Sequence, residues 1–409
     1  MVQGTGSAAP SWTLINLVGA FAKPVRICRA VTVPFTFDTL LYEQLRYLAQ
    51  QGMDVTLVSS PGVILEEIGK SLHLSYHPVA MSRRAEPRRD LLSLVALTKL
   101  FRSQRFSIVH SSTPKAGLLT ALAGVLARVP IRIHTFTGQV WVEMQGLSRR
   151  IMRGCDWLIG HLDTHCYADS LSQREFLVNE GLVAPSRISV LGAGSISGVN
   201  LERFNPTSFQ GERAASAQRE LGISEQSLVI LFVGRLTNDK GIGELVSAFR
   251  MLQRDGKDVE LVLVGPFEPE RDPLPTGTLY ELSHNPRIHV VGFSHEPEKY
   301  IAAADVFCLP SYREGFGSVV IEAAAMGVPA VVSRVVGLVD AVVDGETGLL
   351  VPPKDVDALR GALMKMLSSP EIRHRMGRAA RMRAARDFDS RVINRLVFEE
   401  YKRLAARHH

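Results

Sequence analysis

The sequence predicts an α/β protein of two doubly wound, Rossmann-like domains facing each other across a cleft. Three observations carry that expectation. The chain runs to 409 residues, more than one compact domain ordinarily holds. Short β-branched runs alternate with helix-length segments from one end to the other. The runs are continuously apolar, as in parallel strands covered by helices on both faces. Hydrophobic residues at 46% and charged residues at 22% make an ordinary soluble composition, with ample material for two cores.

In the first half the expected strands are Val25–Val33, Asp54–Ser60, Ser107–Ser112, Ile131–Thr137, His165–Ser170 and Ile188–Leu191. In the second half they are Leu228–Val233, Glu260–Val264, Ile288–Gly292, Val306–Pro310, Ala330–Ser333 and Gly348–Val351. The boundary falls between Gly198 and Ser227, where Gly, Asn, Pro, Ser and Gln mix and a charged helical piece precedes the next strand. The chain thus divides into 1–205, 206–387 and a final helical segment, 388–409, able to pack back on the first domain. Domains of this class bind ligands at the C-terminal ends of their strands.

No apolar run reaches the roughly 18–20 residues that span a bilayer. Ser11–Ala22 is too short for that, lacks a preceding basic segment, and reads as an N-terminal arm. The four cysteines, Cys28, Cys155, Cys166 and Cys308, form no CxxC pair and read as buried free thiols in a reducing cytoplasm. The terminal His408–His409 receives no functional weight. Net charge is +6, which suits polyanionic partners: nucleotide diphosphates, acidic lipid headgroups or nucleic acid. Arg83, Arg84, Arg88 and Arg89 precede the apolar stretch Leu91–Phe101, and Lys99, Arg102 and Arg105 follow. That segment reads either as a surface helix with a solvated face or as a basic helix lying on an anionic membrane. The cluster from Arg373 to Arg386 has the same two readings.

The chemistry concentrates between Leu231 and Pro353. In LFVGRLTNDKGIGELVSAF (231–249) a strand ends at Val233 and a glycine turns the chain. Arg235 and Lys240 then straddle the approach to a helix, aiming two cations and helix-terminal N–H groups at one spot, which suits a diphosphate. In SYREGFGSVVIEAAAMGVPAVVS (311–333) a loop carrying Glu314 and Gly315-Phe316-Gly317 leads into a helix from about Ser318 to Met326. The glycines allow close approach of a ligand to the backbone, and the helix start again favours phosphate. Glu314 lies in the loop and Glu322 one turn inside the helix, so the two touch different parts of an elongated ligand. A helix-dipole role stays open for Glu322.

These motifs, GRL-x3-KG followed by EGFGSVVIEAAAMGVPAV, resemble the retaining glycosyltransferases of family 4, with the GT-B fold. DGETGLLVPPKDVDAL (344–359) continues the likeness. STPKAGLLTALAGVLARVPIRIHTFTG and ADSLSQREFLVNEGLVAPSRISVLGAGSISGVNLERFNP are similar to bacterial members that extend lipid-linked oligosaccharides for surface polysaccharides or glycans. The resemblance implies an acceptor-binding first domain and a nucleotide-sugar-binding second one. It implies that Arg235 and Lys240 bind the donor diphosphate, that Glu314 holds the donor sugar, and that Glu322 holds the ribose. It assigns the amides of Gly315, Phe316, Gly317, Ser318 and Val319 to the sugar and phosphates, and Phe293 to the base. His134 matches the histidine facing the reacting sugar, while Lys115 and Thr36 fall to the acceptor side. In place of the Gly-Gly loop of many members the chain has Thr32-Val33-Pro34-Phe35-Thr36.

The implied function is retaining, metal-independent transfer from a nucleotide-diphosphate sugar, UDP-linked by default and GDP-mannose as runner-up. The acceptor is a lipid-linked saccharide, reached in the cytoplasm by peripheral contact with the anionic inner face of the cell membrane; nucleic acid is not expected as a partner. No cofactor and no metal site are expected. Asp355-Val-Asp357 and Asp387-Phe-Asp389 mimic a metal-binding Asp-x-Asp but lack further ligands, and the first suits a helix cap. Gly192–Gly198 mimics a dinucleotide loop but is followed by a turn. The rivals are a sugar-nucleotide epimerase of the same architecture and a non-catalytic partner subunit.

Overall fold

The computed structural model describes residues 25–209, 212–270 and 272–407; the expected N-terminal arm (11–22) and His408–His409 lie outside the described residues. The first sheet contains β1 (Arg26–Ala30), β2 (Asp54–Ser59), β3 (Ser75–Pro78), β4 (Ile108–Ser111), β5 (Ile131–Phe136), β6 (His165–Ala168) and β7 (Ile188–Val190). The second contains β8 (Leu228–Val233), β9 (Val259–Val264), β10 (Ile288–Gly292), β11 (Val306–Leu309), β12 (Ala330–Ser333) and β13 (Gly348–Val351). The orders are β3-β2-β1-β4-β5-β6-β7 and β10-β9-β8-β11-β12-β13, with parallel pairing throughout.

The expected strands all form: those of the first sheet and β11 are trimmed at their ends, β9 starts one residue earlier, and β8, β10, β12 and β13 keep the expected bounds. The addition is β3, a half-exposed edge strand of sequence SYHP that pairs with β2. With no apolar run of its own and a proline at its end, it carries no strand signal. Strands such as β8 (LVILFV) and β9 (VELVLV) are apolar along almost their whole length because helices cover both faces. In the first sheet neighbouring residues serve opposite cores: Ile27 and Leu57 pack with Leu45 on one face, Cys28 and Val58 with Leu97 and Phe101 on the other.

In each sheet the strand order reverses once, between β1 and β4 and between β8 and β11. Chain leaving the C-terminal ends of such flanking strands runs to opposite sides and opens a crevice. The loops after β8 and β11 are the two motif loops. That topology fixes where the site must lie.

The chain passes from the first sheet to the second near Val199 and returns near Phe388. The two crossings are hydrogen-bonded, Val199 N to Phe388 O at 2.7 Å and Ser390 N to Val199 O at 2.9 Å. The suspect loop Gly192–Gly198 belongs to this crossing: a Cβ on Gly198 would lie 2.5 Å from Phe388 O. The last helix, Ser390–Ala406, packs on the first domain through Val397, Tyr401 and Leu404, and Arg29, fully buried, donates to Tyr401 Oη at 2.5 Å. Asp355 and Asp389 cap helices, accepting from Ala358 N and Arg391 N at 2.9 Å each. Within the Arg373–Arg386 cluster, Arg373 donates to the carbonyls of Met366 and Leu367 and Arg383 to that of Ala341, so both brace the fold. Cys28, Cys166 and Cys308 are buried free thiols and Cys155 is half-buried. No helix among the described residues is long and apolar enough to cross a membrane.

Candidate active site

The loop after β8 turns at Gly234, carries Arg235 outward, and closes in a short helical turn, Asn238–Lys240. Gly241 follows in the left-handed region (φ 70°), where a Cβ would lie 2.2 Å from Pro310 O. Only glycine lets the loops after β8 and β11 press together there. That contact brings Lys240 onto Glu314: the ammonium is ion-paired with the carboxylate, which also accepts from Ser311 Oγ at 2.8 Å. Both side chains are largely withdrawn from solvent.

Arg235 donates to Glu268 at 2.8 Å and lies 3.9 Å from Asp239, whose carboxylate also accepts from Arg313 at 2.6 Å. Burial pushes the Asp239 carboxyl up, but Arg313, Thr237 and Arg235 outweigh it and hold it below the ordinary range. Glu268, beyond the end of β9, behaves alike: burial raises it and Arg235 and Arg83 lower it further. Three cations therefore stand among three carboxylates at the mouth of the crevice. The helix Ser318–Ala325 begins four residues after Glu314 with Gly317 as its N-cap, and the amides of its first turn lack the intrahelical acceptors of the later ones. Glu322, one turn in, sits apart from Glu314 near Arg203 and Glu298. Burial pushes its carboxyl up to about 7, with Arg203 opposing.

The first domain closes over these loops. A Cβ on Gly138 would lie 3.2 Å from Gly315 N, and one on Gly315 only 2.6 Å from the C and O atoms of Thr137. Thr137–Gly138 thus touches Glu314–Gly315 backbone to backbone. Around the rim, Phe35 meets Phe293 edge-on with centroids 5.3 Å apart. Ser172 Oγ accepts from Gly337 N at 2.9 Å, Lys354 pairs with Glu143 at 2.6 Å, and Arg83 reaches Glu268 at 3.1 Å. A cavity of about 570 Å³ opens beside Arg83, Arg84, Phe267 and Glu270. Among the described residues no three His, Cys, Asp or Glu side chains gather as a metal site requires.

Comparison with known proteins fits this geometry. The family described as glycosyl transferase 4-like domain matches residues 38–194, and glycosyl transferases group 1 matches 215–383. The Staphylococcus aureus capsular polysaccharide biosynthesis glycosyltransferase CapM is 31% identical over 371 residues, 91% of this chain and 95% of that one. The chain belongs to the group 1 glycosyltransferases. An Escherichia coli UDP-Gal:alpha-D-GlcNAc-diphosphoundecaprenol alpha-1,3-galactosyltransferase is 26% identical, over 79% of this chain and 82% of its own. The solved structure of Anabaena HepE with UDP and glucose superimposes with a TM-score of 0.76 at 17% identity, covering 92% of this chain and 99% of that one. The glycosyltransferase has the GT-B architecture of two facing Rossmann-like domains.

Within this glycosyltransferase Arg235, Lys240 and Glu314 come together, Glu322 lies apart beside Arg203, and the first-domain residues His134 and Lys115 are engaged elsewhere. His134 is 2% exposed in β5, with Nδ1 2.8 Å from Ser111 Oγ and its ring against Phe136. It faces the helix Pro114–Leu126, where a Cβ on Gly117 would strike its ring at 2.5 Å. This corrects the expectation that His134 faces the reacting sugar: its position in the strand turns it into the core, and burial pushes it down to about 3, hence neutral. Thr137, at the strand's end, occupies the cleft instead. Its signal in the sequence is the Gly138 that follows, which stops the strand at the ligand-binding edge. Lys115 is also redirected: it pairs with Asp90 at 2.8 Å and with the carbonyl of Arg84, anchoring the loop that carries Arg83. Thr36 starts the helical turn behind Phe35. Phe316 is 1% exposed and packs on Phe388, so its backbone alone can meet a ligand. Arg83 and Arg84 are ion-paired with Glu268 and Glu270 of the second domain. Glu268 itself went unnoticed in the sequence, its only mark being its place just past a parallel strand.

Proposed function

We propose that this glycosyltransferase moves a sugar, with retention, from a UDP-sugar to a hydroxyl of a lipid-linked saccharide at a membrane surface, without a metal ion. The observation that carries the reading is the meeting of Arg235, Lys240, Glu314 and the start of the Ser318–Ala325 helix at the strand-order reversal, under a first-domain lid. A diphosphate entering there takes Arg235 and Lys240 in exchange for Glu268 and Glu314. Glu314, released, accepts from sugar hydroxyls, while Glu322 accepts from the ribose and Phe293 covers the base. The acceptor hydroxyl attacks the anomeric carbon from the face the diphosphate leaves. The sugar–phosphate C–O bond breaks, and the hydroxyl proton passes to the departing phosphate oxygen. The chain supplies position and charge in a closed site.

The printed activity of the Escherichia coli relative, UDP-galactose donor and diphosphoundecaprenol-linked acceptor, supports the donor and acceptor classes. The test is transfer of labelled sugar from a panel of UDP- and GDP-sugars to a polyprenyl-diphosphate-linked saccharide, with and without EDTA. Retained transfer from a UDP-sugar in EDTA is expected. GDP-mannose alone as donor would reassign the base. Loss in EDTA restored by Mg²⁺ or Mn²⁺ would end the metal-free mechanism, and epimerised donor without transfer would make the protein an epimerase.

A further inference from the structure

The loop that follows β3 is pinned on three sides. Ser60 Oγ, just past β2, donates to Met81 O at 2.7 Å and accepts from Met81 N at 3.0 Å. Ser93 Oγ donates to Ala80 O, and Lys115 Nζ donates to Arg84 O while paired with Asp90. A loop braced in this way holds its side chains in place before any ligand arrives. The side chains it holds toward the second domain are Arg83 and Arg84.

The opposite wall is the chain just past β9. Phe267 forms an isolated bridge with Leu236, and Leu236 N donates to Pro266 O at 2.8 Å. This wall is thereby fastened to the loop that carries Arg235. Between the walls lies the cavity of about 570 Å³, lined by Arg83, Arg84, Phe267, Glu268, Pro269 and Glu270. Its size is that of a small-molecule site. Its lining offers guanidinium donors for phosphate, the half-exposed ring of Phe267 as a flat face for a sugar, and carboxylates for hydroxyl groups.

Glu268 divides the charges. Its Oε1 accepts from Arg83 and its Oε2 from Arg235, so cations of the two domains stand back to back on one carboxylate. Arg83 is tied through Nη1 at 3.1 Å and Arg84 through Nη2 at 3.3 Å. A guanidinium has five N–H donors, so each keeps others for an anion without giving up its bridge. With Arg235 and Lys240 serving the donor diphosphate on one side of Glu268, an anion on the first-domain side belongs to the other substrate.

We propose that the cavity between the loops after β3 and β9 is a subsite for the diphosphate of the acceptor, held by Arg83 and Arg84 with the adjoining sugar against Phe267. The proposal deepens the lipid-linked reading above and rests on it for the acceptor's identity; the anion site itself rests on the cavity.

Calorimetry with geranyl diphosphate, on protein saturated with UDP so that the donor site is filled, tests the subsite. The parent should bind it, and geraniol should bind far more weakly. Arg83→Met and Arg83→Met/Arg84→Met should weaken binding about tenfold or more, with Arg83→Lys in between, while the melting temperature and UDP affinity hold. Arg89→Met is the control for net charge: Arg89 is exposed, paired with Glu86 and not part of the cavity lining, so its loss should leave binding as in the parent. With a polyprenyl-diphosphate saccharide that accepts sugar, Arg83→Met should raise the acceptor KM and leave the UDP-sugar KM unchanged. No binding of geranyl diphosphate by the UDP-saturated parent, equal binding of geraniol, or parental affinity in the double variant overturns the proposal. So does a UDP-sugar KM that rises in step with the acceptor KM, since Arg83 would then act by closing the cleft. Geranyl diphosphate bound as expected, with no UDP-sugar used, would leave the anion site standing and remove the functional reading.

Discussion

Replacing Gly315 by alanine separates closure of the cleft from stability of the fold. Gly315 is not among the glycines with positive φ, so its backbone accepts alanine without strain. The new methyl would nevertheless lie 2.6 Å from both the carbonyl carbon and oxygen of Thr137 and 3.0 Å from its Cα. Ordinary contact needs roughly 3.4–4 Å, and the obstacle is backbone, which cannot rotate aside. The Thr137 strand end must back off by about 1 Å, and a misplacement of that size near reacting atoms costs about 10²-fold, or about 2.7 kcal/mol of barrier. The expectation for Gly315→Ala is therefore kcat/KM about 10²-fold lower, with a melting temperature at or slightly above that of the parent. Gly361→Ala is the control, because a Cβ there meets nothing within 4 Å. The measurements are initial rates of UDP-sugar consumption and thermal melts of the same preparations. Parental kcat/KM in Gly315→Ala would refute the idea that Thr137 must meet Gly315 for turnover.

Arg235→Ala and Lys240→Ala should each lower kcat by about 10²–10³-fold and weaken UDP binding by calorimetry; near-parental turnover of both at saturating donor would remove them from the leaving group. His134→Ala should lower the melting temperature without a selective fall in kcat/KM, since the residue is buried and neutral; an unchanged melt with a large loss of kcat would return it to the chemistry. Glu322 is pushed up to about 7, so its protonated form stabilises the fold fully below the ordinary carboxyl pKa, and that stabilisation is lost as pH rises through 7. Glu322→Gln should accordingly raise the melting temperature at pH 8 relative to the parent but not at pH 4. Affinity for UDP should rise from pH 6 to 8 in the parent, where a carboxylate can accept from the ribose, and stay flat in the variant. A pH-independent parent would detach Glu322 from the ribose.

The fold was legible because buried parallel strands write themselves as apolar runs. Leu228–Val233 needs no partner to be recognised, whereas Ser75–Pro78 is a strand only because β2 leaves an edge to pair with. The candidate site was legible where residues follow directly on an apolar strand, Arg235 and Lys240 in the loop after β8 and Glu314 in the loop after β11. It was obscured where the direction of a side chain decides its use. His134 and Thr137 lie in the same strand and turn, three positions apart, and alternation sends the histidine to the core while the threonine reaches the edge. A motif gives the neighbourhood of a residue; only the register of the strand gives its face. Arg83 shows a further limit, since nothing in its surroundings in sequence reveals that Glu268 stands 3.1 Å away across the cleft.

That cross-cleft bridge bears on how the site uses its charges. Arg235, Lys240 and Arg313, gathered without counter-charges in a half-buried crevice, would repel one another and lose hydration. Glu268, Glu314 and Asp239 offset that cost in the closed form. On the function proposed above, a diphosphate would enter by exchange rather than by simple addition, and its net binding would be the difference between two sets of ion pairs. Differential stabilisation follows naturally: the negative charge on the leaving diphosphate grows as the sugar–phosphate bond breaks, whereas a carboxylate's charge is fixed. In the proposed mechanism Arg235 and Lys240 would thus favour the transition state over both the empty site and the bound donor, which is the condition for raising the rate rather than only the affinity. Because Glu268 holds Arg83 of the first domain on Oε1 and Arg235 on Oε2, the proposed exchange frees Arg235 while leaving the bridge across the cleft in place.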